Sequence, residues 1–460
     1  MGSHKRLSRR EFLKASAAMM ASGAAGLVHV PTTLSAPPAQ ETPQLVFASW
    51  EGGITRETIE QMLRDFTDLT GVEVTHQVPT ESYMDKLQVM AAADQLPDVF
   101  YISKGFIADW AEKGLLMELT EQLGSDPSVD MADIVEANLY QINNHFFAAA
   151  VTTEPQVMFY NRDVFDDAGE AYPPASVEEA WTLDEIIEVA KHLTRDQNGR
   201  HPGEEGFDPE NIEVFGWEWW NWIGGANVWW MNGLEFFTGP DLMTVNLTDP
   251  AVIETYAKLS EIPTVHHIAP PTGYYDQMGF GMTQAQARGQ IAMITGANWL
   301  LPEIVELEYN VGAAVLPKLG PEYAIWGAGE GLSIGSTTDF PDEAYRLLSY
   351  VAYGEGTASI WKTGLWMPQL KSLLEDPEKQ QTWLTEGVHP EEYPTAACIP
   401  AARYMKNDPM RKGWQEAWDK WIGPAIDAAL FARRPAEEVL AEAETEANAF
   451  FAENPPWIPA

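Results

Sequence analysis

A single cysteine, Cys398, is all the thiol chemistry in this sequence. No intrachain disulfide can form, whatever the redox compartment. A lone cysteine is more often a small buried apolar residue than a nucleophile. Basic residues are scarce too: 28 Lys and Arg stand against 68 Asp and Glu, for a formal net charge of -40. So negative a surface repels phosphate backbones and anionic lipid, which argues against nucleic acid as a partner. The bland reading of the charge is a solubility coat; the sharper one is attraction of a cationic solute. Beyond residue 40 no apolar run is long enough to span a bilayer. There is no P-loop and no HExxH metal motif. His266-His267 is a metal-like pair, but adjacent residues point apart on a strand. Asp196-x-Asn198 begins like a calcium loop and then puts Arg200 at the third ligand position. No metal and no cofactor are expected.

What is present begins with an address. Ser8-Arg9-Arg10-Glu11-Phe12-Leu13-Lys14 precedes an apolar stretch from Ala15 to Val30, and small residues follow around Leu34-Ser35-Ala36. A basic start, an apolar middle and a small-residue exit make a signal peptide over residues 1–40. Its paired arginines resemble a twin-arginine signal, an address for export of an already folded protein. A periplasmic or other extracytoplasmic destination follows. No cysteine lies near the expected cleavage region, so no lipid anchor is expected there. Without these residues, 23 basic side chains face 67 acidic ones.

The remaining length is too great for one compact core and suggests two globular units. Gln44 to Trp50 reads as a buried strand. Ile59, Met62, Leu63, Phe66 and Leu69 form a helical stripe that Gly71 stops. Val72 to Thr75 alternates as a strand, Ser82 to Ala93 is helical, and Asp98 to Ile102 is a buried strand. This β-α-β-α-β order predicts a parallel, doubly wound sheet, whose ligands sit beyond the strands' carboxyl ends. Trp50, Glu51 and Lys104 fall at such ends. The pattern restarts beyond Ala149. Val157 to Tyr160 reads as a strand, and Trp181 to Leu193 as a helix capped by Thr182 with Glu185 three residues on. Pro341 to Tyr353 and Pro409 to Phe451 read as helices, the latter interrupted at Gly423-Pro424 and Pro435.

The order of these signals resembles the extracellular solute-binding proteins of sugar ABC importers, the maltose-binding-protein-like family. The resemblance rests on Phe47-Ala48-Ser49-Trp50, Phe66-Thr67-Asp68-Leu69-Thr70-Gly71 and Leu96-Pro97-Asp98-Val99-Phe100. It continues through Tyr160-Asn161-Arg162-Asp163-Val164-Phe165, Gly289-Gln290-Ile291-Ala292-Met293, Gly296-Ala297-Asn298-Trp299 and the loop Gly327-Ala328-Gly329-Glu330-Gly331. It implies an α/β protein of two doubly wound lobes joined by a multi-crossing hinge, the type II periplasmic binding protein fold. Residues 44–152 with 314–356 would form one lobe, and 153–313 with 357–455 the other. It also implies a cleft that closes on one small-molecule ligand, a monomer, and ABC transporter membrane subunits as partners.

Six tryptophans, Trp217, Trp219, Trp220, Trp222, Trp229 and Trp230, fall within fourteen residues. Indole planes stack on the apolar faces of sugar rings, while nearby polar groups such as Glu218 serve hydroxyl edges. The competing reading is that they cover a sheet, and about half are expected in the core. The resemblance points to Glu218, Trp219, Trp220 and Trp299 as cleft-facing. Trp50, Glu51 and Lys104 are further candidates, as are Gly329 and Glu330, whose loop could offer backbone N–H groups to hydroxyls, and Trp366 and Arg403. For Arg403 the alternative is a surface ion pair. Two other readings are open: a receptor for a polyamine or other cationic solute, and a secreted carbohydrate-active hydrolase using Glu218 or Glu330. Gly331-Leu332-Ser333-Ile334-Gly335 matches a nucleophile elbow, but Ser336 to Pro341 delays any helix and Leu332 to Ile334 reads better as a strand. No enzyme activity is expected.

Overall fold

The computed structural model describes residues 43–50, 53–79, 82–219, 225–431 and 433–459. The expected signal peptide, Glu51 and Trp220 lie outside them. Strands run in the order β1 (Gln44–Ala48), β2 (Glu73–Gln77), β3 (Val99–Ile102), β4 (Ala149–Ala150), β5 (Glu154–Asn161) and β6 (Arg195–Asp196). They continue as β7 (Ile212–Glu218), β8 (Ile291–Ala297), β9 (Val311–Ala314), β10 (Ile325–Ala328), β11 (Gly331–Ile334) and β12 (Met405–Lys406).

The first sheet has the order β2-β1-β3-β11-β4. Its opening strands are parallel, as the β-α-β-α-β pattern predicts. The helix after β1, α1 (Gly53–Thr70), buries Ile59, Met62, Leu63 and Phe66 against this sheet. Leu69, placed on the same stripe by spacing, is instead 74% exposed. It sits in the last turn, and the chain leaves through Gly71 at φ 73, a left-handed position that suits glycine. Helix α2 (Tyr83–Ala92) leads to β3, and helix α3 (Lys104–Glu112) follows it. The second sheet has the order β12-β10-β5-β8-β7-β6, with β9 also on β5. Helix α4 (Leu183–Leu193) packs here and starts with the expected capping box between Thr182 and Glu185. Each sheet carries its own core of buried side chains. Both sheets are mixed, because strands entering from the other half run antiparallel to their neighbours.

The division of the chain differs from the sequence reading in two stretches. The sequence reading puts residues 314–328 with the first lobe and 357–366 with the second. Here β9 and β10 both pair with β5, and Leu316, Leu319 and Ile325 join the second core. The first core takes β11, helix α5 (Pro341–Tyr353) and the chain through Ile360 and Trp366. Local pattern cannot distinguish these assignments, because a buried strand of four residues looks alike in either sheet. The chain therefore passes between the cores at 151–153, at 329–330 and at 366–367. These crossings are bonded side by side: Val151 N–H donates to Glu330 C=O at 3.0 Å, and Thr153 N–H to Met367 C=O at 3.0 Å. Adjacent, hydrogen-bonded crossings form a hinge able to flex as one unit.

Gly423-Pro424 does not break the C-terminal helical span. A π turn at Trp418–Ile422 absorbs it, since wider winding accommodates a residue with no N–H. The last helix, α6 (Ala436–Glu453), starts after Pro435 and packs on the second core. No helix among the described residues is long and apolar enough to cross a membrane.

Candidate functional site

A cavity of about 490 Å³ lies where the two cores face each other. The first lobe contributes Trp50, Lys104, Phe106 and Trp366; the second contributes Trp299, Trp326, Asp408, Trp414 and Trp418. Glu154 and the hinge residues Gly329 and Glu330 line its base.

The aromatic surfaces are held by their own packing. Trp50 follows β1 and stands edge-on to Tyr83 and Tyr101, with ring centroids 5.1 Å away in each case. The Tyr83 hydroxyl lies 3.0 Å from Ala48 C=O and 3.1 Å from Tyr101 C=O, which ties α2 to the strand ends. Trp366 is 1% exposed and lies 6.0 Å from Tyr101, so it forms part of a floor. Opposite, Trp299 meets Trp326 perpendicularly at 6.5 Å. Rings fixed this way lose little freedom when a ligand stacks on them.

The charged groups bridge the lobes. The Lys104 ammonium stands 2.8 Å from Asp408 and 4.2 Å from the centre of the Trp326 ring. The Trp326 indole N–H lies 3.3 Å from both Asp408 oxygens. Asp408 therefore orients a cation from one lobe and a ring from the other. Burial pushes the Tyr140 phenol well up, and the carboxylates of Glu330, Glu154 and Asp408 add to the shift. The lining thus carries three carboxylates and one ammonium.

Gly329 is fixed by contact rather than by unusual torsion. The Tyr140 hydroxyl donates to its carbonyl and accepts from its N–H at 2.9 Å. The loop was expected to offer N–H groups to a ligand, but this N–H is already bound to Tyr140.

The family model described as bacterial extracellular solute-binding protein matches residues 61–386. The chain belongs to that family. This solute-binding protein is 25% identical over 307 residues to the maltooligosaccharide ABC transporter solute-binding lipoprotein of Streptococcus pneumoniae. That match spans 65% of the chain and 66% of the relative's own length. The fold superposes on an ABC substrate-binding protein from Listeria monocytogenes solved with cycloalternan, with TM-score 0.74 and 21% identity. That superposition covers 90% of this chain and 100% of the other. The sugar-binding protein MalE of Xanthomonas citri superposes with TM-score 0.71 at 15% identity, over 89% of this chain and 98% of that one. The fold is the two-lobed, type II periplasmic binding fold.

Trp50, Lys104, Trp299, Gly329, Glu330 and Trp366 of the solute-binding protein are brought together by the cavity. Glu218, Trp219 and Arg403 are not among its lining residues. Arg403 sits on the surface with Nε 2.5 Å from Glu375 Oε1, the ion pair named as its alternative. Glu218 closes β7 inside the second lobe. Its Oε2 is enclosed with no hydrogen-bond partner among the described residues, and the Trp219 indole N–H is in the same state. Of the clustered tryptophans, Trp217, Trp229 and Trp230 are buried in the second core, with N–H partners at Thr295, Asn246 and Glu235. Ser333 is buried in β11 and donates to Phe147 C=O at 2.9 Å, so the elbow motif is a strand.

Burial raises the Glu218 carboxyl to about 8. A carboxyl raised in the folded state favours folding below its unfolded value, and that advantage is lost as pH rises through the folded one. Between about pH 4.5 and 8 the group should lower stability by about 1.4 kcal/mol per pH unit. Glu218→Gln removes this slope. Urea unfolding at pH 5, 6.5 and 8 checks it; parallel wild-type and variant curves would refute it.

Proposed function

We propose that this protein is the exported binding component of an ABC importer and that its ligand is a carbohydrate held in the interlobe cavity. The observation that carries the reading is the cavity itself: opposed indole surfaces from two lobes, with carboxylates and an ammonium between them. Sugar rings have apolar faces and hydroxyl edges, and such a mixture suits both. The relatives described above support it, since their names record maltooligosaccharide and cycloalternan as ligands. The paired Arg9-Arg10 supports export in the folded state. Ligand bridging the half-sites favours the closed form by its differential affinity, and the closed form then docks on the importer's membrane subunits.

The excess of acids in the cavity favours one second reading, a cationic solute held by indole faces and carboxylates. A thermal-shift comparison separates the two. A ligand that binds only the native state stabilises it by about 2.7 kcal/mol at a hundredfold excess over Kd. A rise in Tm with maltotriose and none with spermidine is expected. The reverse pattern would replace the carbohydrate by a polyamine, and turnover of the stabilising sugar would favour a hydrolase.

A further inference from the structure

The two lobes also meet along a seam that starts from the cavity-lining pair Lys104 and Asp408 and leaves the lining at Glu112 and Lys412. Helix α3 belongs to the first core through Ile107, Ala108, Trp110 and Ala111. The segment 408–413 leads into Trp414, which belongs to the second core. Three contacts of matched polarity join them. Lys104 meets Asp408 at 2.8 Å, Glu112 meets Lys412 at 2.7 Å, and Asp109 Oδ2 accepts the Gly413 N–H at 3.1 Å. Burial at the seam raises the Asp109 carboxyl. Arg411, between these residues, turns inward and is 2% exposed. It donates to Leu242 C=O at 2.6 Å and to Asn454 C=O at 2.8 Å, and its guanidinium lies 3.9 Å from the centre of the Phe451 ring. The segment is thereby pinned to the second lobe as a firm edge. Past Asn454, Trp457 crosses to Phe147 of the first lobe at 5.5 Å.

We propose that the seam between α3 and residues 408–413 is a charge clasp that sets how readily the lobes close, so that Glu112 and Lys412 fix ligand affinity without touching the ligand. Helix α3 belongs to the first core, and the segment is anchored to the second through Arg411 and Trp414 while its Met410 packs across on the first, so these contacts form only when the lobes are together. Neither Glu112 nor Lys412 lines the cavity. Apparent affinity scales with the fraction of protein in the binding-competent form, so a group that stabilises that form alone tightens binding from a distance. Glu112 and Lys412 are positioning residues in this sense. The affinity part of the proposal rests on the carbohydrate reading; the closure part does not.

The test is a charge-swap cycle, E112K, K412E and the double variant, on the full mature chain. Two readouts are taken: the interlobe distance distribution without ligand, by pulsed electron resonance between spin labels on the two lobes, and the Kd for maltotriose. Each single reversal is expected to widen the distances and weaken binding about tenfold, because like charges then face each other. The double variant is expected to recover both readouts. Additive losses in the double variant, or distances unchanged by the single reversals, overturn the clasp. Should maltotriose and longer maltooligosaccharides bind none of the proteins, and spermidine bind instead, while the distances follow the swap, the clasp stands and the carbohydrate reading falls.

Discussion

Replacing Gly329 with alanine is expected to destabilise the protein by about 3 kcal/mol or more. An added Cβ would stand 1.8 Å from Thr152 C=O and 3.2 Å from Ala150 Cβ. A flexible side chain could move aside, but a backbone carbonyl in the hinge cannot move alone. Thr153 next to it donates its N–H to Met367 C=O, and its hydroxyl accepts from the Asn138 amide at 2.7 Å. Tyr140 holds Gly329 by both its N–H and its C=O. Relief therefore requires separating two of the chain crossings. Urea unfolding checks the value, and a loss below about 1 kcal/mol would mean the crossings are softer than their hydrogen bonds suggest. Such a result would also weaken the description of the hinge as one flexing unit.

Trp299→Ala is expected to weaken saccharide binding about 30- to 100-fold while changing stability by less than about 1 kcal/mol. The two effects separate because of where the ring lies. Trp299 sits in the short turn after β8, only partly buried, and stands perpendicular to Trp326 at the cavity wall. Its removal opens the stacking surface without emptying either core. Tryptophan fluorescence titrated with maltotriose measures the affinity. Unchanged binding would remove Trp299 from the site. The contrasting substitution is Trp217→Ala: that ring is fully buried and donates to Thr295 Oγ1 at 3.1 Å, so its loss should fall on stability.

The contrast explains what the sequence could and could not convey. Elements governed by neighbours in the chain were legible: the buried stripe Ile59-Met62-Leu63-Phe66, the capping box at Thr182 and Glu185, and the parallel start of the first sheet. The cavity is assembled from segments far apart in sequence, and there local density misleads. In the run from Trp217 to Trp230 the expected half are core, Trp217, Trp229 and Trp230 having buried rings and N–H partners inside the second lobe, but Glu218 and Trp219, read as cleft-facing, are not among the residues that line the cavity. Trp326, Asp408, Trp414 and Trp418 were not singled out, although all four line the cavity. Trp326 had one signal, its place directly before the glycine loop. Trp414 and Trp418 stand four apart and so share a helix face. Asp408 had none, because its role comes from Lys104, some three hundred residues earlier. Glu154 ends a crossing that only the hinge geometry reveals.

The central claim is that two lobes close tryptophan faces around a sugar. Calorimetric titration of the wild-type chain, without residues 1–40, with maltotriose tests it most directly. The account predicts a saturable isotherm with one site per chain. Flat heats with maltotriose and with longer maltooligosaccharides, beside a saturable isotherm for spermidine, would contradict it.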